Sequence, residues 1–224
     1  GGDLPGSPSL GQLVRRLLVL VPELPRLRLS SLDPAAIDPD LWRLIAEERR
    51  LMPHLHLSLQ AGSDLILKRM KRRHLRRDAL DVVARARALR PDMAFGADLI
   101  AGFPTETEAL FAETLDFVAE ARLHFLHVFP YSERPGTPAA RMPGVPKPVR
   151  RERAARLREA GRLAARRFFE AQRGRVVSLL TESGDRGHSE HFAPVRLLRS
   201  ALPGRIVAAR VTAANDDGLL AEPA

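Results

Sequence analysis

The 224-residue sequence predicts an α/β fold: an incomplete parallel, TIM-like β/α barrel followed by a small antiparallel, OB-like β-barrel. Up to residue 131, apolar strand patterns alternate with amphipathic helix patterns, which is typical of βαβ units and a parallel sheet. After Gly174, short β segments are separated by Gly, Asp and Asn, as in small β-barrels. The predicted domains are residues 1–147 and 174–224, and a basic helix at 148–173 connects them.

Four strands are predicted in the first domain, with helices between them. The strands are Leu27–Ser31, His54–Leu59, Met93–Ala101 and His124–Tyr131. The helices are Leu10–Val21, Asp38–Glu48, Arg76–Leu89 and Glu106–Ala121, the last with Thr105 and Glu108 as its capping box. Four strands cannot close a barrel, and the first element is a helix. We therefore expect the sheet to be incomplete at its N-terminal end.

Four short strands are predicted in the second domain. They are Val176–Leu180, Ala193–Leu198, Arg205–Thr212 and Leu219–Ala221.

The positive charge is concentrated in two segments. The formal net charge is +9, and the segment 68–77 carries seven Lys and Arg and no acid. The segment 147–175 carries eleven Lys and Arg against three Glu. This segregation indicates a polyanion-binding surface, whereas the alternative is a solvated helix face with intrahelical pairs such as Glu152–Arg156. The predicted RNA-binding residues are Arg150, Arg151, Arg153, Arg156, Arg166, Arg167 and Arg175.

The absence of cysteine excludes several kinds of site within this chain. Disulfides, cysteine nucleophiles and cysteine-ligated clusters are ruled out, and we expect no metal ligands. The longest apolar stretch, Leu17–Val21, is too short to span a bilayer. We therefore expect a cytoplasmic protein, monomeric and without a membrane partner.

Polar side chains follow the predicted strands at their C-terminal ends, where β/α barrels and open sheets bind ligands. In the strand at 54–59 the polar residues share one face and the leucines the other, which is unusual for a parallel sheet. This pattern fits a strand that lines a cavity, although an edge strand with one solvated face would show it too. His54 and His56 come earlier in that strand and are expected to pack deeper in the sheet. The candidate ligand-binding residues are Ser30, Ser31, Ser58, Gln60, Asp98, Gly102 and Tyr131.

Three longer motifs resemble the strand-four, strand-five and strand-six signatures of the tRNA methylthiotransferases, a family of radical-SAM enzymes. They are residues 54–64, 98–107 and 129–139. Residues 29–34, 57–59 and 126–129 are most similar to the branch specific for threonylcarbamoyladenosine. Residues 187–195 resemble the family's TRAM domain, a small RNA-binding β-barrel.

The resemblance implies methylthiolation of threonylcarbamoyladenosine beside the anticodon of tRNA. It implies S-adenosylmethionine (SAM) as cofactor, near the seven candidate residues, and two 4Fe-4S clusters whose cysteine ligands are absent from this chain. We therefore expect no catalytic residues here, and this chain alone to be inactive and to show no cluster absorbance. Two alternatives remain open: a non-catalytic RNA-binding protein with a degenerate barrel, and an unrelated α/β-barrel enzyme.

Overall fold

A computed structural model describes residues 5–224 of the chain. The chain divides into two compact units, with the boundary between Arg158 and Glu159. This boundary falls inside one long helix, whereas a separate connecting helix between the two domains was predicted from the sequence. Within the described residues, no helix is long and apolar enough to cross a membrane.

The first unit is built on a parallel four-stranded sheet, which confirms the predicted α/β architecture. The strands run in the order β1-β2-β3-β4. Their bounds are β1 (Leu27–Leu32), β2 (Leu51–Gln60), β3 (Ala94–Ala101) and β4 (Phe125–Pro130). The helices are α1 (Leu10–Leu20), α2 (Pro39–Glu47), α3 (Asp64–Arg69), α4 (Arg76–Leu89) and α5 (Glu108–Glu120), and α6 (Lys147–Glu170) crosses the boundary between the units.

The alternation within β2 creates the apolar side of the sheet. Leu55, Leu57 and Leu59 are fully buried in a core that also contains Phe95 of β3 and Phe111 of α5. Because successive side chains of a strand point to opposite faces, the polar residues of β2 lie on the other face. The apolar face therefore supplies the core, and the polar face is available for a site.

Local differences from the predicted elements are informative. Helix α3 was not predicted, because its six residues are too few to show a helical period. The predicted capping box of α5 is wrong: the N-cap is Thr107, whose side chain accepts a hydrogen bond from the backbone N–H of Leu110. Thr105 instead has a left-handed backbone with φ of 66° and accepts a hydrogen bond from the guanidinium of Arg69.

The second unit contains a closed five-stranded barrel in the order β5-β6-β7-β9-β8. Its strands are β5 (Val176–Ser183), β6 (Arg186–Ser189), β7 (Pro194–Leu197), β8 (Ile206–Asn215) and β9 (Gly218–Pro223). The small barrel is confirmed, but β7 and β9 pair in parallel, so the barrel is mixed and not wholly antiparallel. Strand β6 was not predicted from the sequence, because Gly187 has no side chain to show the strand period. Gly187 is needed there because an added Cβ would clash with the carbonyl of Leu180 on β5.

Candidate active site at the strand ends

A cavity of about 550 Å³ lies at the C-terminal ends of β2, β3 and β4. Three of the seven predicted ligand-binding residues line it, namely Gln60, Asp98 and Tyr131. Ile100 and Phe129 add apolar surface. The volume is in the range of small-molecule sites, and an apolar lining with a few polar groups is typical of them.

Gln60 reaches this cavity through an irregularity in β2. Its backbone is left-handed, with φ of 69°, and the register between β2 and β3 shifts between Leu57 and Gln60. A bulge of this kind turns a side chain away from the regular strand direction, and bulges are frequent next to functional sites. The left-handed conformation of a non-glycine residue costs on the order of 1 kcal/mol, which the surrounding fold must offset.

The three predicted serines lie near the same edge of the sheet but are not among the residues that line the cavity. Ser30 and Ser31 are exposed on β1, and Ser58 is half-buried on β2. Strand-end position was sufficient to place them at this edge. The register between strands, which sequence alone does not give, decided which side chains meet.

Gly102 packs against a side chain of the protein in this structure, and the close approach of a ligand to this residue stays a prediction. Its backbone N–H donates to the Oε2 atom of Glu106 at 2.8 Å. An added Cβ would lie 2.6 Å from the Cγ atom of Arg150, so that side chain occupies the space. The glycine with φ of 73° is therefore required for packing against α6.

Two of the predicted RNA-binding arginines are buried in the first unit. Arg150 donates from Nη2 to Glu133 Oε1 at 2.7 Å, and Arg153 donates from Nη1 to Glu106 Oε2 at 2.9 Å. Their side chains are only 7% and 6% exposed. They cannot reach an RNA phosphate in this conformation, and the prediction for both is corrected. The reason is that the first turns of α6 pack against the β3–α5 connection, which supplies a buried carboxylate.

The burial of Glu106, the partner of Arg153, was not predicted from the sequence. The Glu106 side chain is 1% exposed, and burial raises the pKa of its carboxyl group above the ordinary value, although Gly102 and Arg153 act in the opposite direction. The motif at residues 98–107 does not indicate that this glutamate is buried, because a glutamate before a helix usually lies in solvent.

The other predicted arginines are more accessible. Arg156 is 42% exposed and lies 3.3 Å from Glu152, the intrahelical pair named as the alternative. It also lies 2.6 Å from Glu108 of α5, which was not predicted. Arg166 lies 3.7 Å from Asp216. The remaining three are exposed and form no ion pair with any residue in the range 5–224: Arg151, Arg167 and Arg175.

The basic segment 68–77 is also partly structural. Arg72 donates to the carbonyl of Ser58 at 2.8 Å, and Arg76 donates to the carbonyls of Gly62 and Glu113. These contacts hold the ends of β2 and α5 in place. The exposed positive surface of this segment is therefore smaller than its formal charge indicates.

Around Asp98, which also lines the cavity, the structure brings together three ionisable side chains that were not grouped from the sequence. The Nε2 atom of His56 lies 3.0 Å from Asp98 Oδ1, and the Nδ1 atom of His127 lies 3.5 Å from the same oxygen. Asp98 and His127 are direct partners in the parallel register of β3 and β4. The two-residue period of each strand shows in the sequence which side chains share a face. The register that aligns these side chains across neighbouring strands cannot be read from the sequence.

The sequence profile of the Radical SAM superfamily matches residues 1–118, which is more than half of the chain. The chain belongs to the radical SAM superfamily. This membership excludes an unrelated α/β-barrel enzyme, which was one of the alternatives left open.

Two curated relatives identify the group within the superfamily that this chain is similar to. The chain is 52% identical, over 211 residues, to a threonylcarbamoyladenosine tRNA methylthiotransferase of Rickettsia prowazekii, covering 94% of this chain and 50% of that protein. It is 41% identical to a tRNA-2-methylthio-N(6)-dimethylallyladenosine synthase of Acidothermus cellulolyticus, covering 89% of this chain and 42% of that protein. The resemblance to the tRNA methylthiotransferase family is confirmed. The chain spans about half the length of these relatives or less.

A solved structure supports the assignment of the fold. Coproporphyrinogen III oxidase from Escherichia coli, described as a radical SAM enzyme, matches with a TM-score of 0.58 and 18% identity, covering 93% of this chain and 52% of that one. At this identity the match supports the fold and carries no information on the substrate.

Superfamily membership implies SAM and an iron–sulfur cluster. A thiolate-ligated cluster does not fit this chain, since its 224 residues include no cysteine. SAM does fit, because the cavity offers an apolar wall and acceptor oxygens at the edge where β/α proteins bind ligands.

Proposed function

We propose that this chain is part of a radical-SAM methylthiotransferase that acts on threonylcarbamoyladenosine beside the anticodon of tRNA. The observation that carries the proposal is the 52% identity over 211 residues to the Rickettsia prowazekii enzyme. Identity to two dimethylallyladenosine synthases is lower, at 41% and 43%. The role assigned to this chain is to form one wall of the SAM pocket and to bind the tRNA.

The SAM pocket is assigned to the cavity at the strand ends. Ile100, Phe129 and Tyr131 offer apolar surface suited to an adenine ring. Gln60 can donate and accept hydrogen bonds, and the carboxylate of Asp98 accepts them from hydroxyl or ammonium groups. When bound, SAM supplies the methyl group and the deoxyadenosyl radical of the family's chemistry. These side chains orient the cofactor and exclude water, while the cluster ligands must come from outside this chain.

The tRNA contacts are assigned to exposed arginines of each unit and to the TRAM-like barrel. In the first unit this is Arg151, and in the second Arg166, Arg167 and Arg175. Phosphate contacts from such side chains position an RNA without reading its sequence. We therefore assign substrate selection to the active site and general affinity to the arginines.

The experiment that tests the function is deletion of the gene that encodes this chain, followed by mass spectrometry of nucleosides from total tRNA. The methylthio derivative of threonylcarbamoyladenosine should disappear and its precursor should accumulate, and the reintroduced gene should restore it. Loss of the methylthio derivative of dimethylallyladenosine instead would assign the protein to the branch that acts on dimethylallyladenosine. If neither nucleoside changes, the enzyme assignment is wrong and the non-catalytic RNA-binding alternative is favoured.

A further inference from the structure

We propose that His56, Asp98 and His127 form a binding site for a divalent transition-metal ion such as Zn²⁺ on the polar face of the sheet. Two imidazole nitrogens and one carboxylate oxygen are a ligand set that such ions favour. Their candidate ligand atoms all lie within 4.8 Å of one another. The proposal rests on this geometry and not on the methylthiotransferase assignment. Because Asp98 also lines the cavity assigned to SAM, a bound ion would share this carboxylate with the cofactor site.

The distances suit shared coordination of one ion. Ligand atoms bound at about 2.1 Å to one zinc-sized ion lie roughly 3.0–3.4 Å apart when the angles at the ion are between those of an octahedron and a tetrahedron. The Nε2 atom of His56 is 3.0 Å and the Nδ1 atom of His127 is 3.5 Å from Asp98 Oδ1. All three candidate atoms lie within 4.8 Å of one another, and we infer that rotation of the side chains closes the remaining distance around one ion.

The neighbouring backbone holds the histidine of β2 in this position. His56 pairs with Gly96 across the β2–β3 register, and an added Cβ on Gly96 would lie 2.5 Å from His56 Nδ1. The missing side chain lets the ring lie against β3 with its Nε2 atom directed at Asp98. His56 is 7% exposed, which limits its motion.

The open side of the cluster gives an ion access. The side chain of His127 is 59% exposed, so the third ligand borders solvent. Within the part of the chain that the structure describes, Asp98 forms no ion pair with a lysine or arginine. Its negative charge is therefore available to a cation. Three protein ligands on one side leave a coordination position for water or another small ligand, as in catalytic zinc sites.

The test uses the 224-residue chain without a polyhistidine tag, stripped with a chelator and titrated with Co²⁺ and Zn²⁺. Calorimetry should show saturable binding of one Zn²⁺ ion. Bound Co²⁺ should give d–d absorption typical of nitrogen and oxygen ligands, without a thiolate band. Asp98→Asn and His127→Gln should each weaken binding by at least about 10-fold, since each removes or weakens one of three ligands. The exposed His127 makes the second variant safe for folding, which circular dichroism checks.

The matched control is His188→Gln in the second unit. The Nδ1 atom of His188 lies 2.7 Å from Glu182 Oε1, so it is a histidine–carboxylate pair that belongs to no three-residue cluster found among residues 5–224. This variant should bind the ion as the parent chain does. The proposal is overturned if the parent chain shows no saturable binding, if Asp98→Asn binds with parental affinity, or if His188→Gln loses as much as His127→Gln. The three side chains would then be a hydrogen-bonded group only.

Discussion

Replacing Arg153 with methionine should strongly destabilise the first unit. The Arg153 guanidinium donates to the Oε2 atom of Glu106 at 2.9 Å and to the Glu106 carbonyl at 2.8 Å. Methionine fills much of the volume but leaves the Glu106 carboxylate, which is 1% exposed, without its cation. Breaking a buried ion pair from one side costs about 3–5 kcal/mol. We expect about 3 kcal/mol, because the backbone N–H of Gly102 still donates to that carboxylate.

The assay is urea denaturation followed by the fluorescence of Trp42, the sole tryptophan, which is buried in the first unit. Arg156→Met is the control on the same helix. Its side chain is 42% exposed and pairs with Glu108, and an exposed pair contributes at most about 1 kcal/mol. The double variant Arg153→Met/Glu106→Gln should regain about 1–2 kcal/mol, since it removes the unpaired charge. Equal losses in Arg153→Met and Arg156→Met would refute the reasoning.

The destabilisation caused by Arg153→Met should also depend on pH. Burial raises the pKa of Glu106 above its ordinary value of 4.5, so the folded state binds that proton more tightly than the unfolded state. Protonation of this group therefore favours folding, and its contribution is lost as the pH rises through the raised pKa. Removing Arg153 raises this pKa further. The penalty of Arg153→Met should therefore shrink between about pH 8 and about pH 5, and a penalty that grows would contradict the assignment.

Two further predictions concern RNA binding and packing. The chain should bind tRNA with an affinity that falls steeply with salt, and Arg167→Gln and Arg175→Gln should each lower the slope of log affinity against log salt by about one. Arg162→Gln should have little effect, because that guanidinium is paired with two carboxylates, and salt-independent binding measured by fluorescence anisotropy would refute the RNA role. Gly62→Ala should destabilise the first unit by about 1–3 kcal/mol in urea denaturation, because the added Cβ would lie 2.5 Å from a side-chain atom of α5. Gly174→Ala has open space but a φ of 76°, so it should cost only about 1–2 kcal/mol of backbone strain, and a larger loss there than at Gly62 would contradict the packing argument.

Much of the fold could be predicted because its signals are local. The two-residue period of His54–Leu59 and the helical period of Arg76–Leu89 depend only on neighbouring residues, and the structure contains both elements. Alternation of such segments is sufficient to predict a parallel sheet. The shortest elements, α3 and β6, were missed because a few residues do not complete a recognisable pattern.

The sequence by itself determined that polar residues gather at the strand ends, and that a cysteine-free chain supplies no thiolate ligand to an iron–sulfur cluster. Only the tertiary structure decided which of those residues share a cavity, because strand register depends on packing between distant segments. It also decided that Arg153 is buried while Arg167 is exposed. The composition of a basic helix does not show which of its faces is exposed to solvent. The face that packs against a buried carboxylate is fixed by contacts between residues distant in sequence.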